Sequence, residues 1–271
     1  MTKQQLIQAA NKIPQLTLLF WIMKMSATTL GETGSDLFTV PGANAHYFVP
    51  ALFFSGIFVI SLILQLVSKR YIAPVYWTVI LTTSLAGTAW SDYMDRTLQL
   101  GYAKGSLLLI SILIAIFAFW YFTEPTLNVK KLASRKVEVL YWVAILVSNT
   151  LGTAAGDFLS HPKAEHGLGL TIIQGASITT ALIALIALAY AFTKINRVFL
   201  FWVAFVLTRP FGATFGDYLI KPKEVGGLGL NNGTLIASGI LLGVLVLCLF
   251  VYYENKAKEH HFLRLQAETQ E

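Results

Sequence analysis

Charge is scarce in this sequence: Asp, Glu, Lys and Arg make up 13% of 271 residues, against 55% apolar ones. Soluble domains carry about a quarter charged residues, so an ordinary soluble domain is excluded, and no stretch is polar for long enough to form a separate one. Cysteine occurs once, as Cys248; it can form no intrachain disulfide, and in an apolar run it reads as a small buried filler. A Walker loop, an HExxH, a CxxC and a nucleophile elbow are all missing, which leaves ATP-driven pumping and common hydrolase chemistry without support. The chain therefore reads as neither an enzyme nor a cofactor carrier. The first 14 residues are polar, with no small-residue cleavage site after an early apolar core, so no removable signal peptide is expected. Short alternating segments, the mark of a β-barrel, are also missing.

Long apolar runs fill the chain instead. Eight are long enough to cross about 30 Å of hydrocarbon, near 15–35, 48–67, 75–94, 105–123, 138–159, 170–193, 197–219 and 233–253. The expected class is an all-α polytopic membrane protein of eight transmembrane helices. The net charge of +6 suits basic loops facing anionic lipid, and no nucleic-acid face is visible. Thirteen Lys and Arg fall on the side of the termini (Lys3, Lys12, Lys69, Arg70, Lys130, Lys131, Arg135, Lys136, Lys194, Arg197, Lys256, Lys258, Arg264). Five fall opposite, namely Arg96, Lys104, Lys163, Lys221 and Lys223. The positive-inside rule then places both termini in the cytoplasm.

The chain also repeats. Gly31-Glu32-Thr33-Gly34-Ser35-Asp36 recurs as Gly87 to Asp92, Gly152 to Asp157 and Gly212 to Asp217, and fifteen residues before each Asp stands a Trp with an aromatic in front of it. Four parallel two-helix repeats follow, near 15–70, 71–135, 136–196 and 197–255, within one membrane domain ending in a polar tail, 256–271. Equivalent helices are expected around a pseudo-symmetric centre, with the even-numbered spans outside. The turn at Pro41-Gly42-Ala43-Asn44, a loop at Asp95 to Gly105 and a polar connection at about 124–137 separate the spans. The tail from Glu254 is read as a short helical extension or as disordered.

Residues four apart share a helix face. Stepping back from each Asp gives Asp36, Glu32, Thr28 and Lys24; Asp92, Thr88 and Ser84; Asp157, Thr153 and Asn149; Asp217, Ala213 and Arg209. Eleven of the twelve positions in the first three layers are polar, and such a stripe faces a bundle interior or a water-filled cavity. The small-xxx-small pairs Gly31/Ser35, Gly87/Ser91, Gly152/Gly156 and Gly212/Gly216 are read as close helix contacts. On a purely structural reading, Lys24 with Glu32 and Arg209 with one Asp are buried ion pairs that fix register. On a functional reading, five carboxylates against Lys24 and Arg209 need further positive charge, either protons or a divalent cation held by carboxylate oxygens. Lys24 and Arg209 would be counter-charges of the emptied site or, alternatively, would bind an anion. Pro210 marks a hinge. His46, His161, Glu165 and His166 are read as solvated loop residues, with metal capture at the entrance as the alternative, and His260-His261 carries nothing.

At Trp21, Trp77, Trp142 and Trp202 with the Gly-x3-(Ser/Gly)-Asp stretches, the chain resembles a bacterial family of four tandem two-span repeats, known as a repeat of unknown function and as membrane-anchored protein. The resemblance spans about 15–253. It implies the bacterial inner membrane and supplies no catalytic residues. The functional expectation rests on the stripe: a secondary transporter, or a channel, for a small cation. A divalent metal such as manganese, with proton coupling, is the expected substrate. Asp36, Asp92, Asp157, Asp217 and Glu32 would hold metal or protons, and Thr28, Ser84, Thr88, Asn149 and Thr153 would line the path. The alternatives are a non-transporting structural or partner-binding membrane protein and, last, a membrane-embedded enzyme acting on a lipid or quinone. The only other partners expected are the bilayer and a second copy in a homodimer.

Overall fold

Four of the helix starts follow from local chemistry. Thr17 caps the first helix by accepting from the Phe20 amide. Pro74 stands in the first turn of the third, where its missing N–H costs nothing. Thr171 and Gln174 form a reciprocal capping box, and Asn196 accepts from the amides of Val198 and Phe199. The computed structural model describes residues 12–39, 47–124, 127, 135–163 and 167–268. Among them are eight α-helices and no strand. These are α1 (Leu18–Asp36), α2 (Phe48–Val67), α3 (Ala73–Asp92), α4 (Tyr102–Thr123), α5 (Arg135–Ser160), α6 (Ile172–Phe192), α7 (Arg197–Ile220) and α8 (Gly233–Glu268).

Six of the eight helices (α2, α4, α5, α6, α7 and the Gly233–Glu259 part of α8) are long and apolar enough to cross a membrane. Eight were expected. The two that fall short, α1 and α3, owe this to their contents: α1 carries Lys24, Glu32 and Asp36, and α3 is rich in Thr, Ser and Gly. Both are central. α1 packs against α3 and α7, and α5 packs against the same two, so the odd helices close a four-membered ring. A helix surrounded by protein has no need of an apolar surface.

The even helices lie outside. In their apolar windows α2, α4, α6 and α8 are 33, 22, 17 and 22% buried, against 67 and 61% for α5 and α7. Their free faces are apolar, with Leu52, Ile60, Leu107, Ile114, Leu185 and Phe250 exposed. Each packs chiefly on the odd helix that follows it rather than on the one before it: α2 on α3, α4 on α5, α6 on α7. The last, α8, packs on α1. The two helices of one sequence repeat are thus not the packing pair.

One expectation is corrected: the loop from Asp95 begins later, because a π-helical turn, Tyr93–Thr97, continues α3. Of the two readings of the stretch after Glu254, the helical extension holds, as far as Glu268. Cys248 is free and buried. His46, Glu165, His166 and the turn at 41–44 lie outside the described residues, as does nearly all of the 124–134 connection.

Candidate functional site

The four odd helices meet through glycine. A Cβ on Gly31 would stand 2.4 Å from Ser84 Cβ, one on Gly87 2.9 Å from Asn149 Cβ, one on Gly152 2.2 Å from Arg209 Cγ, and one on Gly212 2.8 Å from the Thr28 carbonyl carbon. Each glycine therefore admits the residue that stands eight positions before the Asp of the neighbouring helix. This close approach, four times over, brings the polar stripes together on the axis of the ring.

From one end to the other the axis is filled in layers. Phe20, Tyr76, Tyr141 and Phe201 come first, with the two tyrosine hydroxyls 2.7 Å apart. Lys24 follows among Ile80, Ile145 and Phe205, all fully buried. The expected Lys24–Glu32 ion pair does not form: the Lys24 ammonium has no hydrogen-bond partner and sits 4.1 Å from the centre of the Phe205 ring. A face of π-electrons is the one favourable contact open to a cation there.

Next comes Arg209, fully buried. Its Nε donates to the Asn149 carbonyl (3.1 Å), Nη1 to the Thr28 carbonyl (2.5 Å) and Nη2 to the Ser84 carbonyl (3.0 Å). These three residues occupy in α5, α1 and α3 the position that Arg209 occupies in α7. One side chain thus ties all four inner helices at a single level. Nη2 also donates to the hydroxyls of Thr88 and Thr153, and it lies 3.7 Å from Glu32 Oε2. The expected partner of Arg209 was an Asp; it is Glu32. Thr88 and Thr153 also donate to that carboxylate, at 3.2 and 3.4 Å. Thr28, Ser84, Thr88, Asn149 and Thr153 do meet on the axis, but Arg209 fills the space between them, so they line a plugged core rather than an open path.

The four Asp follow, and they are not bare. Arg96 lies 3.1 Å from Asp92 and 3.6 Å from Asp157. Lys221 lies 3.4 Å from Asp36 and 3.5 Å from Asp217. His161 Nδ1 is 3.8 Å from Asp157 Oδ1, and its ring lies against Tyr102. Reading His161 as a solvated loop residue is corrected, as is counting Arg96 and Lys221 as loop charges alone. The signal was present in the sequence: Arg96, His161 and Lys221 each stand four residues after an Asp, on the same helical face. With Arg96 and Lys221 included, five carboxylates face four fixed cations, and the axis is close to neutral. Among the described residues no group of three or more His, Cys, Asp and Glu is disposed to hold a metal ion; the Asp stand as two bridged pairs.

The loops hold these bridges in place. After α7, the amides of Leu228 and Gly229 donate to the carbonyls of Tyr218 and Lys221 (2.8 and 3.0 Å). After α5, Leu168 and Gly169 do the same to Phe158 and His161 (2.7 and 2.9 Å). The orphan carbonyls of both helix ends are thereby satisfied, and the backbone of each basic residue is pinned above its Asp. Gly169 and Gly229 take φ of +74° and +62°, a region glycine enters without strain. Asp217, outweighing burial, holds the Lys221 ammonium well above the usual lysine range. Burial works against the Arg96 charge, but Asp92 and Asp157 outweigh it and hold it firmly protonated. Beside them, burial and then Asp157 push the Asp95 carboxyl up to about 6.

No curated protein and no solved structure matches the chain. The family described as Repeat of Unknown Function (DUF347) matches four successive stretches, 19–71, 75–126, 140–196 and 200–257. Together they cover most of the chain, and each takes in the greater part of one inner helix; the chain belongs to that family.

Proposed function

We propose that this chain is a secondary transporter for a small cation, with all eight helices crossing the bacterial inner membrane and both termini in the cytoplasm. The four repeats would stand around a pseudo-fourfold axis, and the substrate would bind at the Asp end of it. α1 and α3 can span despite their polarity because the ring and the outer helices shield them from lipid. One observation carries the reading: the buried Asp carboxylates are neutralised by Arg96 and Lys221, whose side chains are themselves 32 and 33% exposed. Cations tethered at the mouth of a carboxylate cluster can swing into solvent and leave oxygen ligands behind for a divalent ion. The emptied site then recovers its own counter-charges, so neither state leaves Asp92, Asp157 and Asp217 buried and unpaired, or the half-buried Asp36 without a cation. Arg209, Glu32 and Lys24 would form the closed part of the path, with Glu32 as the site of proton coupling.

Purified protein in liposomes loaded with a manganese-sensitive dye tests this. Uptake is expected for the wild type and should be lost in Asp92→Asn and Asp217→Asn. Lys221→Gln should bind manganese more tightly in a thermal-shift titration, because its competitor is gone. No uptake by the wild type, or unchanged uptake in both Asp variants, overturns the reading. The alternative of a non-transporting scaffold is favoured by one feature, the Arg209 bonds to three backbone carbonyls, which suit a permanent lock. That reading predicts Asp variants that lose melting temperature and a wild type indifferent to every metal.

A further inference from the structure

At the end of the bundle away from the Asp layer, a second carboxylate is buried. Glu138 in the first turn of α5 is 2% exposed. It lies nineteen residues before Asp157 on the same helix, about 28 Å at 1.5 Å per residue. Its Oε2 takes the Lys12 ammonium at 2.7 Å, while its Oε1 is buried with no hydrogen-bond partner. The same ammonium donates to the Leu66 carbonyl at 3.2 Å. That carbonyl belongs to the last turn of α2, where oxygens have no helical amide to accept from and the helix dipole favours positive charge. Gln65, 1% exposed, holds the Lys12 carbonyl through its amide nitrogen at 3.4 Å, and its own oxygen is buried and unpartnered.

Two buried oxygens are thus left without donors: one on the carboxylate that the Lys12 ammonium meets, the other on Gln65, the residue before the helix-terminal Leu66 carbonyl. Buried acceptors left in this way are costly unless something fills them. We infer that Glu138, the Leu66 carbonyl and Gln65 form a site for a monovalent alkali cation, held here by the tethered ammonium of Lys12. The charge sets the valence: one carboxylate neutralises one positive charge, and a divalent ion would leave one buried unpaired. The chemistry does as well, since carboxylate, amide and backbone oxygens suit hard cations and rank poorly for soft metals. Lys12 leads into α1, so cation binding would release the segment preceding the inner ring. The site stands independently of transport at the Asp end.

The experiment is a thermal-shift titration with NaCl at constant ionic strength, balanced with choline chloride, on wild type, Lys12→Ala and the double variant Lys12→Ala/Glu138→Gln. Lys12→Ala should show sodium-dependent stabilisation with an apparent affinity about tenfold or more tighter than the wild type, because the internal competitor is removed. The double variant should lose it. Lys12→Ala equally destabilised in sodium and in choline overturns the inference and makes the ion pair a strut. Should Lys12→Ala fail to fold, wild-type protein is labelled with an amine-reactive reagent and the Lys12 peptide is followed by mass spectrometry. Labelling that rises with NaCl and not with choline supports displacement of the ammonium; labelling that ignores sodium refutes it.

Discussion

Replacing Arg209 by Met keeps much of the volume and removes the guanidinium donors that tie the four inner helices at one level. The Thr28, Ser84 and Asn149 carbonyls lie inside helices, where the amide four residues on already serves one lone pair, so their loss is the smaller part. The larger part is Glu32, left in a dry interior with only the Thr88 and Thr153 hydroxyls at 3.2 and 3.4 Å. Breaking a buried pair by removing one partner costs about 3–5 kcal/mol, which for a chain of this size lowers the melting temperature by roughly 10 °C. Glu32→Gln added to Arg209→Met removes the stranded charge and keeps an acceptor for both threonines. The double variant should therefore be more stable than Arg209→Met alone, with a coupling of about 2 kcal/mol. The assay is thermal unfolding of the four proteins of the cycle in one detergent. An Arg209→Met protein as stable as the wild type, or a coupling below about 0.5 kcal/mol, would refute the account of the axis.

Other outcomes follow from the same geometry. Gly152→Ala drives a methyl group into Arg209 and should cost about 1–3 kcal/mol, whereas Gly239→Ala, with nothing within 4 Å, should gain about 0.5–1 kcal/mol from helix propensity; detergent melting curves compare them. Asp95 titrates near 6 when folded against 3.8 otherwise, so its charge costs the folded state nothing below about pH 4 and the full amount above about pH 6. Asp95→Asn should thus gain at most about 3 kcal/mol over wild type at pH 7, with solvent screening bringing the figure to about 2 kcal/mol, and nothing at pH 4, read as the difference between two pH–stability curves. Gly227→Ala would set a Cβ 2.0 Å from the Lys221 carbonyl oxygen, opening the loop that pins Lys221; faster amine labelling of Lys221 in the variant is the expected result.

The inner ring was legible because its demands on sequence are strict and repeated. Four helices that must touch need glycine at the contact, and four polar faces away from lipid need an Asp at constant spacing. Stepping back from each Asp by fours therefore found Glu32, Thr88, Thr153 and Arg209 in their true layers. Stepping forward by four would also have found Arg96, His161 and Lys221, which the hydropathy of the spans had consigned to loops. The partner of Arg209 was not legible. It depends on how far a long side chain reaches across the axis, and Glu32 one layer away is closer than any Asp. Nor was the isolation of Lys24, whose neighbours Ile80, Ile145 and Phe205 come from three other helices. Glu138 and Lys12 are far apart in sequence and share no repeat, so nothing in the spacing pairs them.

The seat of α8 on α1 has a consequence for how the chain assembles. Ser238 and Thr33, hydroxyls 2.9 Å apart, are separated by 205 positions, while α2 with α3, α4 with α5 and α6 with α7 are hairpins of neighbours. During synthesis three of the four inner helices can acquire their outer cover as soon as they emerge, but the first must wait for the last. A chain reordered to begin with α8 would turn that distant closure into a fourth hairpin. It would lower the mean sequence separation of contacts, which sets folding speed, and leave every packed surface unchanged. The natural order keeps the outer side of α1 uncovered until α8 has been made.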